Sequence, residues 1–143
     1  MKSKKKSPVY RNLLLLFSVL LVVCDWFLQF VNKYFGFGIE NGGISFGFGV
    51  EIGVYLRYVL PLFLIIAAYF LWKSGLLRSL FLITLLIGGI GNAVPRLVWG
   101  HVWDYLRVPY LELWINLSDV LISVSAMSYI LVGDDRDTDR LRD

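Results

Sequence analysis

Four long apolar segments dominate the alternation of hydrophobic and polar positions along this chain. They lie at about residues 10–31, 55–72, 79–98 and 114–132. A helix needs about 20 apolar residues to cross a hydrocarbon core of roughly 30 Å. Because the connections between the segments are mostly short, the pattern predicts four transmembrane helices packed as one compact bundle.

The composition agrees with this prediction. Hydrophobic residues make up 57% of the 143 residues and charged residues 17%, and the mean hydropathy is +0.66. A soluble domain of this length has a different balance. We therefore expect an all-α membrane protein that forms a single integral-membrane domain over residues 1–143.

The basic residues predict the orientation of the chain in the membrane. Of the 14 Lys and Arg residues, ten lie before or at the start of the first segment, beside the turn after the second, or in the tail. The other four lie in or beside the two remaining connections: Lys33, Arg57, Arg96 and Arg107. Basic residues that flank short loops are retained in the cytoplasm. Both termini and the tail 133–143 are thus expected in the cytoplasm, with the loop 32–54 and the connection 99–113 outside.

The two outer connections have their own composition. The loop "FGFGIENGGISFGFGVEIG" combines frequent glycine with apolar residues, which favours a small extracytoplasmic β-element over a disordered linker. The second connection is rich in aromatic side chains, which predict an interfacial belt and a short amphipathic interfacial helix. These side chains are Trp99, Trp103, Tyr105, Tyr110 and Trp114.

The first segment also resembles a secretory or lipoprotein signal that ends at Cys24. Val22 and Val23 stand where small residues should precede a cleavage site, and the apolar run continues beyond, so we favour a retained first span. Cys24 is the single cysteine, which excludes an internal disulfide and a thiolate metal cluster. We expect it to be a small buried apolar side chain.

Polar residues inside or beside the apolar segments are candidates for function, because an Asp or Arg at a helix centre costs about 2.5–3.5 kcal/mol to insert. Asn92 and Arg96 share one helix face, and Asn116 and Asp119 share another. If the third and fourth helices are antiparallel neighbours, Asp104 and Asp119 converge at the outer boundary of the membrane. The full set is Asp25, Asn92, Arg96, His101, Asp104, Asn116 and Asp119.

Two neighbouring aspartates predict aspartyl peptide hydrolysis. Such a pair holds one proton between its carboxyl groups, so that one member activates water while the other polarises a carbonyl. A serine mechanism would depend on the lone His101, and a zinc site would need more His or Cys ligands. We expect no metal and no other cofactor.

Three blocks of this chain, "GGIGNAVPR", "GHVWDYL" and "WINLSDVLI", resemble the signature blocks of bacterial lipoprotein signal peptidase, or signal peptidase II. In that family they read approximately G-x-x-G-N-x-x-D-R, G-x-V-x-D-F and F-N-x-A-D. The stretch "NGGISFG" is similar to the family's outer N-x-G-x-A-F stretch, and Asp25 falls where the family has an aspartate in its first span.

The resemblance implies an aspartyl endopeptidase that cleaves the signal peptide from diacylglyceryl-modified prolipoproteins at the outer face of the bacterial cytoplasmic membrane. It implies Asp104 and Asp119 as the catalytic pair and Asp25 as a structural or supporting position. It also implies prolipoprotein substrates and globomycin-type inhibitors as partners. The net charge of +3 indicates the topology and contact with membrane lipids rather than with nucleic acid, and we expect a monomer. Residues that would line the substrate site or support the pair are Asn41, Asn92, Arg96 and Asn116.

Departures from the family pattern keep a second interpretation open, a catalytically silent relative that binds lipoproteins or acts as a scaffold. Pro95 replaces the aspartate before the arginine, and Gln29 replaces a lysine one turn after Asp25. Without a function, Asn92 and Asn116 would be hydrogen-bonding contacts between helices and Arg96 would extend to lipid headgroups. The smaller departures are Trp26, Tyr105, Ile115 and Ser118.

Overall fold

The computed structural model describes residues 8–43 and 53–132, which form a mostly helical fold with short strands at one end. A 3-10 turn at Leu76–Arg78 joins the second and third helices. The elements in chain order are α1 (Pro8–Phe35), β1 (Ile39–Asn41), α2 (Gly53–Lys73), α3 (Leu80–Trp99), β2 (Val102–Asp104), β3 (Leu106–Val108), β4 (Leu113–Ile115) and α4 (Leu117–Val132).

Among the described residues, three helices are long and apolar enough to cross a membrane, and they contain the first three predicted spans apart from Ser79, which caps α3. The apolar parts are Val9–Phe35, Tyr55–Lys73 and Leu80–Trp99. The fourth helix is also apolar, but its 16 residues extend about 24 Å at 1.5 Å per residue. It begins at Leu117 rather than near residue 114 because residues 113–115 belong to β4.

Helix α3 is the centre of the bundle, because α1, α2 and α4 all pack against it. Glycines allow the closest of these contacts. A Cβ atom on Gly88 would lie 2.8 Å from Ile122 Cγ1, and one on Gly91 would overlap the Ser118 hydroxyl. Both neighbours belong to α4, so the absence of side chains on α3 sets the distance between the two helices.

Apolar side chains face outwards and polar side chains fill the interior. Phe27 on α1 and Phe63 on α2 are more than 60% exposed, as expected for residues that contact lipid. Cys24 is exposed on α1, so the prediction of a buried cysteine was wrong. The buried polar and charged residues include Asp25, Gln29, Asn92, Arg96, Asp104, Asn116 and Ser118.

Short antiparallel strands cover one end of the bundle. Strand β1 pairs with β2 in the register Ile39 to Asp104, and β3 pairs with β4 in the register Leu106 to Ile115. The predicted β-element in the loop 32–54 is confirmed for its first part, since β1 lies there. The strand pattern over residues 44–52, the basic residues before Pro8 and the tail 133–143 lie outside the described residues.

The predicted interfacial helix between α3 and α4 was wrong, because this connection forms β2, β3 and β4. Its β-branched residues, among them Val102, Val108 and Ile115, favour extended backbone over helix. Strand β1, from a distant part of the chain, pairs with β2 and provides hydrogen-bond partners for its backbone N–H and C=O groups.

Candidate active site

The two candidate catalytic aspartates occupy different kinds of element. Asp104 is the last residue of β2 and is 1% exposed, whereas Asp119 lies in the first turn of α4. Burial raises the pKa of the Asp104 carboxyl to about 6, and the charge of Asp119 acts in the same direction. Hydrogen bonds from Asn41 and Asn116 and the charge of Arg96 oppose this increase.

Two asparagine amides link the aspartates. The Asn116 Nδ2 group donates to Asp104 Oδ1 at 2.8 Å and to Asn92 Oδ1 at 3.0 Å. The Asn92 Nδ2 group in turn donates to Asp119 Oδ1 at 2.6 Å. The structure therefore brings both predicted carboxylates and two of the predicted supporting residues into one continuous hydrogen-bonded chain.

Asp119 is held by the way α4 begins. The Asp119 backbone N–H donates to Asn116 Oδ1 at 3.0 Å, and the Asn116 N–H donates to Asp119 Oδ2 at 3.1 Å. This reciprocal pair is a capping box in which Asn116 caps the helix and Asp119 is the third helical residue. The cap fixes the carboxylate relative to the helix axis, which a residue on a loop would not achieve.

Asn41 and Arg96 approach the pair from β1 and α3. The Asn41 Nδ2 group donates to Asp104 Oδ2 at 2.8 Å, and Arg96 Nη1 donates to the Asn41 carbonyl at 3.3 Å. Arg96 is 3% exposed, and its Nε is buried with no hydrogen-bond partner among the described residues. Asp104 and Asp119 are the carboxylates whose charges act on the Arg96 guanidinium. The family pattern has an aspartate directly before this arginine, where this chain has Pro95.

A cavity of about 390 Å³ adjoins these groups. Helices α2 and α4 both pack on α3 but make almost no contact with each other, and the cavity lies between them. Asp119 lines the cavity, whereas Asp104 does not. The polar lining residues are Asn41, Asn92, Arg96, Asp119 and Ser123, and the others are mostly apolar, including Leu56, Leu60 and Ile122.

Asp25 lies outside the cavity and joins the two segments that carry the aspartates. Its Oδ1 accepts from Tyr105 Oη at 2.7 Å and from the Leu117 N–H at 3.0 Å. Its Oδ2 accepts from Ser118 Oγ at 2.5 Å and from Gln29 Nε2 at 2.9 Å. Because Tyr105 follows Asp104 and Ser118 precedes Asp119, this carboxylate fixes both neighbours of the pair.

Sequence reasoning missed the importance of the groups around Asp25. Tyr105 was assigned to the interfacial belt, but it is 6% exposed, so that assignment was wrong. Burial, followed by the hydrogen bond to Asp25, raises the pKa of its hydroxyl. Tyr105, Ser118 and Gln29 are all departures from the family pattern, and all three donate to the same carboxylate. The presence of these three residues together with the loss of the lysine was the signal in the sequence that could have indicated the contacts around Asp25.

A second polar cluster lies beside the site, at the end of α1. Lys33 Nζ is 3.0 Å from His101 Nε2, and His101 Nδ1 is 3.2 Å from Glu40 Oε1. Burial lowers the pKa of His101, which Glu40 opposes and Lys33 reinforces. The imidazole thereby connects α1 to β1, the strand that carries Asn41.

Comparison with known proteins finds relatives that match most of the chain. A family model described as signal peptidase (SPase) II matches residues 14–133. The chain is similar to the lipoprotein signal peptidase of Cupriavidus pinatubonensis, with 30% identity over 139 residues that cover 80% of this chain and 78% of the relative. The same-named protein of Chlorobaculum parvum is 31% identical over 124 residues, which cover 75% and 71%.

The lipoprotein signal peptidase of Cellvibrio japonicus is 30% identical over 114 residues, which cover 72% of this chain and 66% of that relative. No solved structure matches the chain. The family match extends from α1 to the end of α4 and includes all three quoted blocks and both aspartates. The resemblance noted in the sequence is thereby confirmed, and the chain belongs to the signal peptidase II family.

Proposed function

We propose that this protein is an aspartyl endopeptidase that cleaves the signal peptide from diacylglyceryl-modified prolipoproteins, with Asp104 and Asp119 as its catalytic pair. The observation that carries the proposal is the chain of amides that connects the two carboxylates beside a cavity between helices. Membership of a family of peptidases supports it.

The chemistry follows from two acids that share one proton. One carboxylate removes a proton from water, and the resulting oxygen attacks the carbonyl carbon of the scissile bond. The protonated carboxyl group gives its proton to the carbonyl oxygen, and collapse of the tetrahedral intermediate returns a proton to the leaving nitrogen. Asp119 already lines the cavity. For Asp104 to reach the substrate, the amide of Asn41 has to release Asp104 Oδ2, because Asp104 does not line the cavity.

The lining of the cavity suits a peptide that carries a lipid. Leu56, Leu60 and Ile122 provide an apolar wall, which would contact acyl chains or apolar side chains of the signal peptide. The Nε of Arg96, which has no hydrogen-bond partner within residues 8–43 and 53–132, provides a donor for a peptide carbonyl. A globomycin-type inhibitor would occupy the same space. The gap between α2 and α4 would let a substrate enter from the bilayer.

The membrane arrangement is part of the proposal. We infer that α4 is the fourth span, that both termini are cytoplasmic, and that the site faces the outer surface of the bacterial cytoplasmic membrane. The distribution of Lys and Arg supports this orientation. We also propose a monomer as the working unit.

A second candidate is a catalytically silent relative that binds lipoproteins. It is favoured by the position of Asp104, whose two carboxylate oxygens both accept amide hydrogen bonds and which does not line the cavity. The two candidates differ in one measurable property. The silent relative would bind a diacylglyceryl-modified prolipoprotein and leave it intact, whereas the peptidase releases the signal peptide.

The proposed function is tested with purified protein in detergent and a diacylglyceryl-modified prolipoprotein. Asp104→Asn and Asp119→Asn should each lower the cleavage rate at least about 100-fold, because each removes one half of the acid–base pair. Glu112→Gln is the matched control, since its side chain is 88% exposed in the turn between β3 and β4. Full activity in either aspartate variant would refute the catalytic pair.

A further inference from the structure

Pro95 interrupts the hydrogen bonding of α3 within the turn that carries the candidate site. It lies inside the helix and is buried. Proline has no N–H, so the Gly91 carbonyl, four residues earlier, loses the donor that a helix normally provides. Asn92 directly follows Gly91, and Arg96 directly follows Pro95. The missing hydrogen bond therefore lies between the two site residues of this helix.

A side chain from another helix fills this gap. The indole Nε1 of Trp26 on α1 donates to the Gly91 carbonyl at 2.9 Å. A backbone carbonyl without a donor is costly in a membrane-spanning bundle, where water does not compensate. Pro95 and Trp26 are 69 positions apart in the sequence, yet one removes a donor and the other supplies it at the same oxygen.

We propose that Trp26 is a positioning residue that replaces the hydrogen bond removed by Pro95 and thereby fixes the turn of α3 bearing Asn92 and Arg96. The inference rests on the proposed function, since it concerns the geometry of that site. Trp26 does not line the cavity, so it acts on the reaction through its hold on α3.

The contacts of this turn explain why a small displacement would matter. Asn92 holds Asp119 through a hydrogen bond of 2.6 Å, and Arg96 holds the Asn41 carbonyl through one of 3.3 Å. A Cβ on Gly91 would overlap Ser118, so α4 blocks movement of the turn on that side. The bond from Trp26 restrains the same residue from the side of α1. The turn is therefore held between two helices.

The experiment is a double-mutant cycle on the full-length protein in detergent, with Trp26→Phe, Pro95→Ala and the double variant. Trp26→Phe keeps an aromatic ring and removes the donor, so we expect kcat/KM for prolipoprotein cleavage to fall about tenfold and the melting temperature to drop by several degrees. In the Pro95→Ala background, residue 95 regains its N–H. Trp26→Phe should then change kcat/KM by less than about twofold relative to Pro95→Ala alone.

Controls separate this coupling from general effects of the substitutions. Trp72→Phe changes the same residue type on the exposed face of α2, 68% exposed, and should leave both readouts unchanged. Pro95→Ser also restores the N–H and replaces Pro95→Ala if that variant does not fold. Rates are divided by the folded fraction, so that loss of protein is not counted as loss of catalysis.

Each outcome decides the inference. If Trp26→Phe lowers the melting temperature equally in the unmodified protein and in Pro95→Ala, the Trp26 bond does not replace the one removed by Pro95. Coupling in melting temperature with unchanged cleavage in Trp26→Phe would overturn the positioning role. If the unmodified protein cleaves no prolipoprotein, the proposed function fails, and the positioning role fails with it. The melting temperatures then still show whether the Trp26 bond replaces the one removed by Pro95.

Discussion

Asp25 shows how a single buried side chain can organise a site it does not enter. In the part of the chain that the structure describes, five donors reach its two oxygens: the Tyr105 and Ser118 hydroxyls, the Gln29 amide and the backbone N–H groups of Leu117 and Ser118. The two backbone donors belong to the first turn of α4, where a negative charge is favourable. Neutral donors thus surround this carboxylate in place of the lysine of the family pattern.

Tyr105→Phe tests how much one of these hydrogen bonds to Asp25 contributes to stability and cleavage. It removes the hydroxyl that donates to Asp25 Oδ1 at 2.7 Å, and we expect a loss of about 1–3 kcal/mol in the free energy of unfolding together with slower cleavage. Melting in detergent and the cleavage assay measure the two effects. Tyr34→Phe, at a side chain 78% exposed, is the control. Unchanged stability in Tyr105→Phe would show that Asp25 does not need this donor.

The carboxyl of Asp104 should make stability depend on pH. Burial raises its pKa from an ordinary value of 3.8 to about 6, so the folded protein binds the proton more tightly than the unfolded chain. The free energy of unfolding should fall as pH rises from about 4 through 6, by up to about 3 kcal/mol. Asp104→Asn should flatten this part of a melting-temperature profile. An equally steep profile in both proteins would show that Asp104 is not the source of this pH dependence.

At the level of elements, the packing of α4 against α3 depends on which glycines of α3 face the backbone of α4. A Cβ on Gly88 would lie 3.1 Å from the Ser118 carbonyl oxygen and 2.8 Å from Ile122 Cγ1, both on α4. A Cβ on Gly89 would instead lie 2.7 Å from a terminal methyl of Leu64, which can rotate away. Adjacent positions on one helix therefore have different tolerance for a side chain.

Gly88→Ala and Gly89→Ala form a matched pair for this difference. Both gain up to about 1 kcal/mol of helix propensity, but Gly88→Ala forces α4 away from α3 and should cost about 1–3 kcal/mol of stability. We expect a lower melting temperature and slower cleavage in Gly88→Ala, because α4 carries Asp119, and little change in the melting temperature of Gly89→Ala. Cleavage is not compared for Gly89→Ala, because Gly89 lines the cavity. Equal melting temperatures would show that the contact between α3 and α4 is not limiting.

Sequence periodicity predicted the helices, because it depends on local spacing. The approach of Asp104 and Asp119 was inferred from antiparallel third and fourth helices, and two asparagine amides link the two carboxylates in the structure. Periodicity did not predict β2 beside β1, since strand pairing joins residues that are distant in the sequence, as in Ile39 and Asp104. The interfacial helix was expected because an aromatic-rich connection fits a helix and a strand equally well. The partners of Asp25 and the bond from Trp26 to Gly91 were missed for the same reason, as both are contacts between distant elements.

On the scale of the whole molecule, the polar interior and the apolar exterior are the reverse of a soluble domain. Asp25, Gln29 and Asn116 are 0% exposed, while Phe30 and Ile65 are more than half exposed. The strands and the site lie at the same end of the bundle, where α3 ends and α4 begins. The turn between α2 and α3, which contains Ser74, lies at the opposite end. The proposed orientation places these two ends on different sides of the membrane.

Cysteine labelling in spheroplasts tests that orientation. In a Cys24→Ser background, Leu111→Cys adds a thiol in the turn between β3 and β4, and Ser74→Cys adds one between α2 and α3; both positions are exposed. A membrane-impermeant maleimide should label Leu111→Cys in intact spheroplasts and Ser74→Cys only after lysis, because the basic residues hold the second end in the cytoplasm. The background protein is the control for labelling elsewhere. The reverse pattern would place the site on the cytoplasmic side, away from prolipoproteins that have crossed the membrane, and would contradict the proposed substrate.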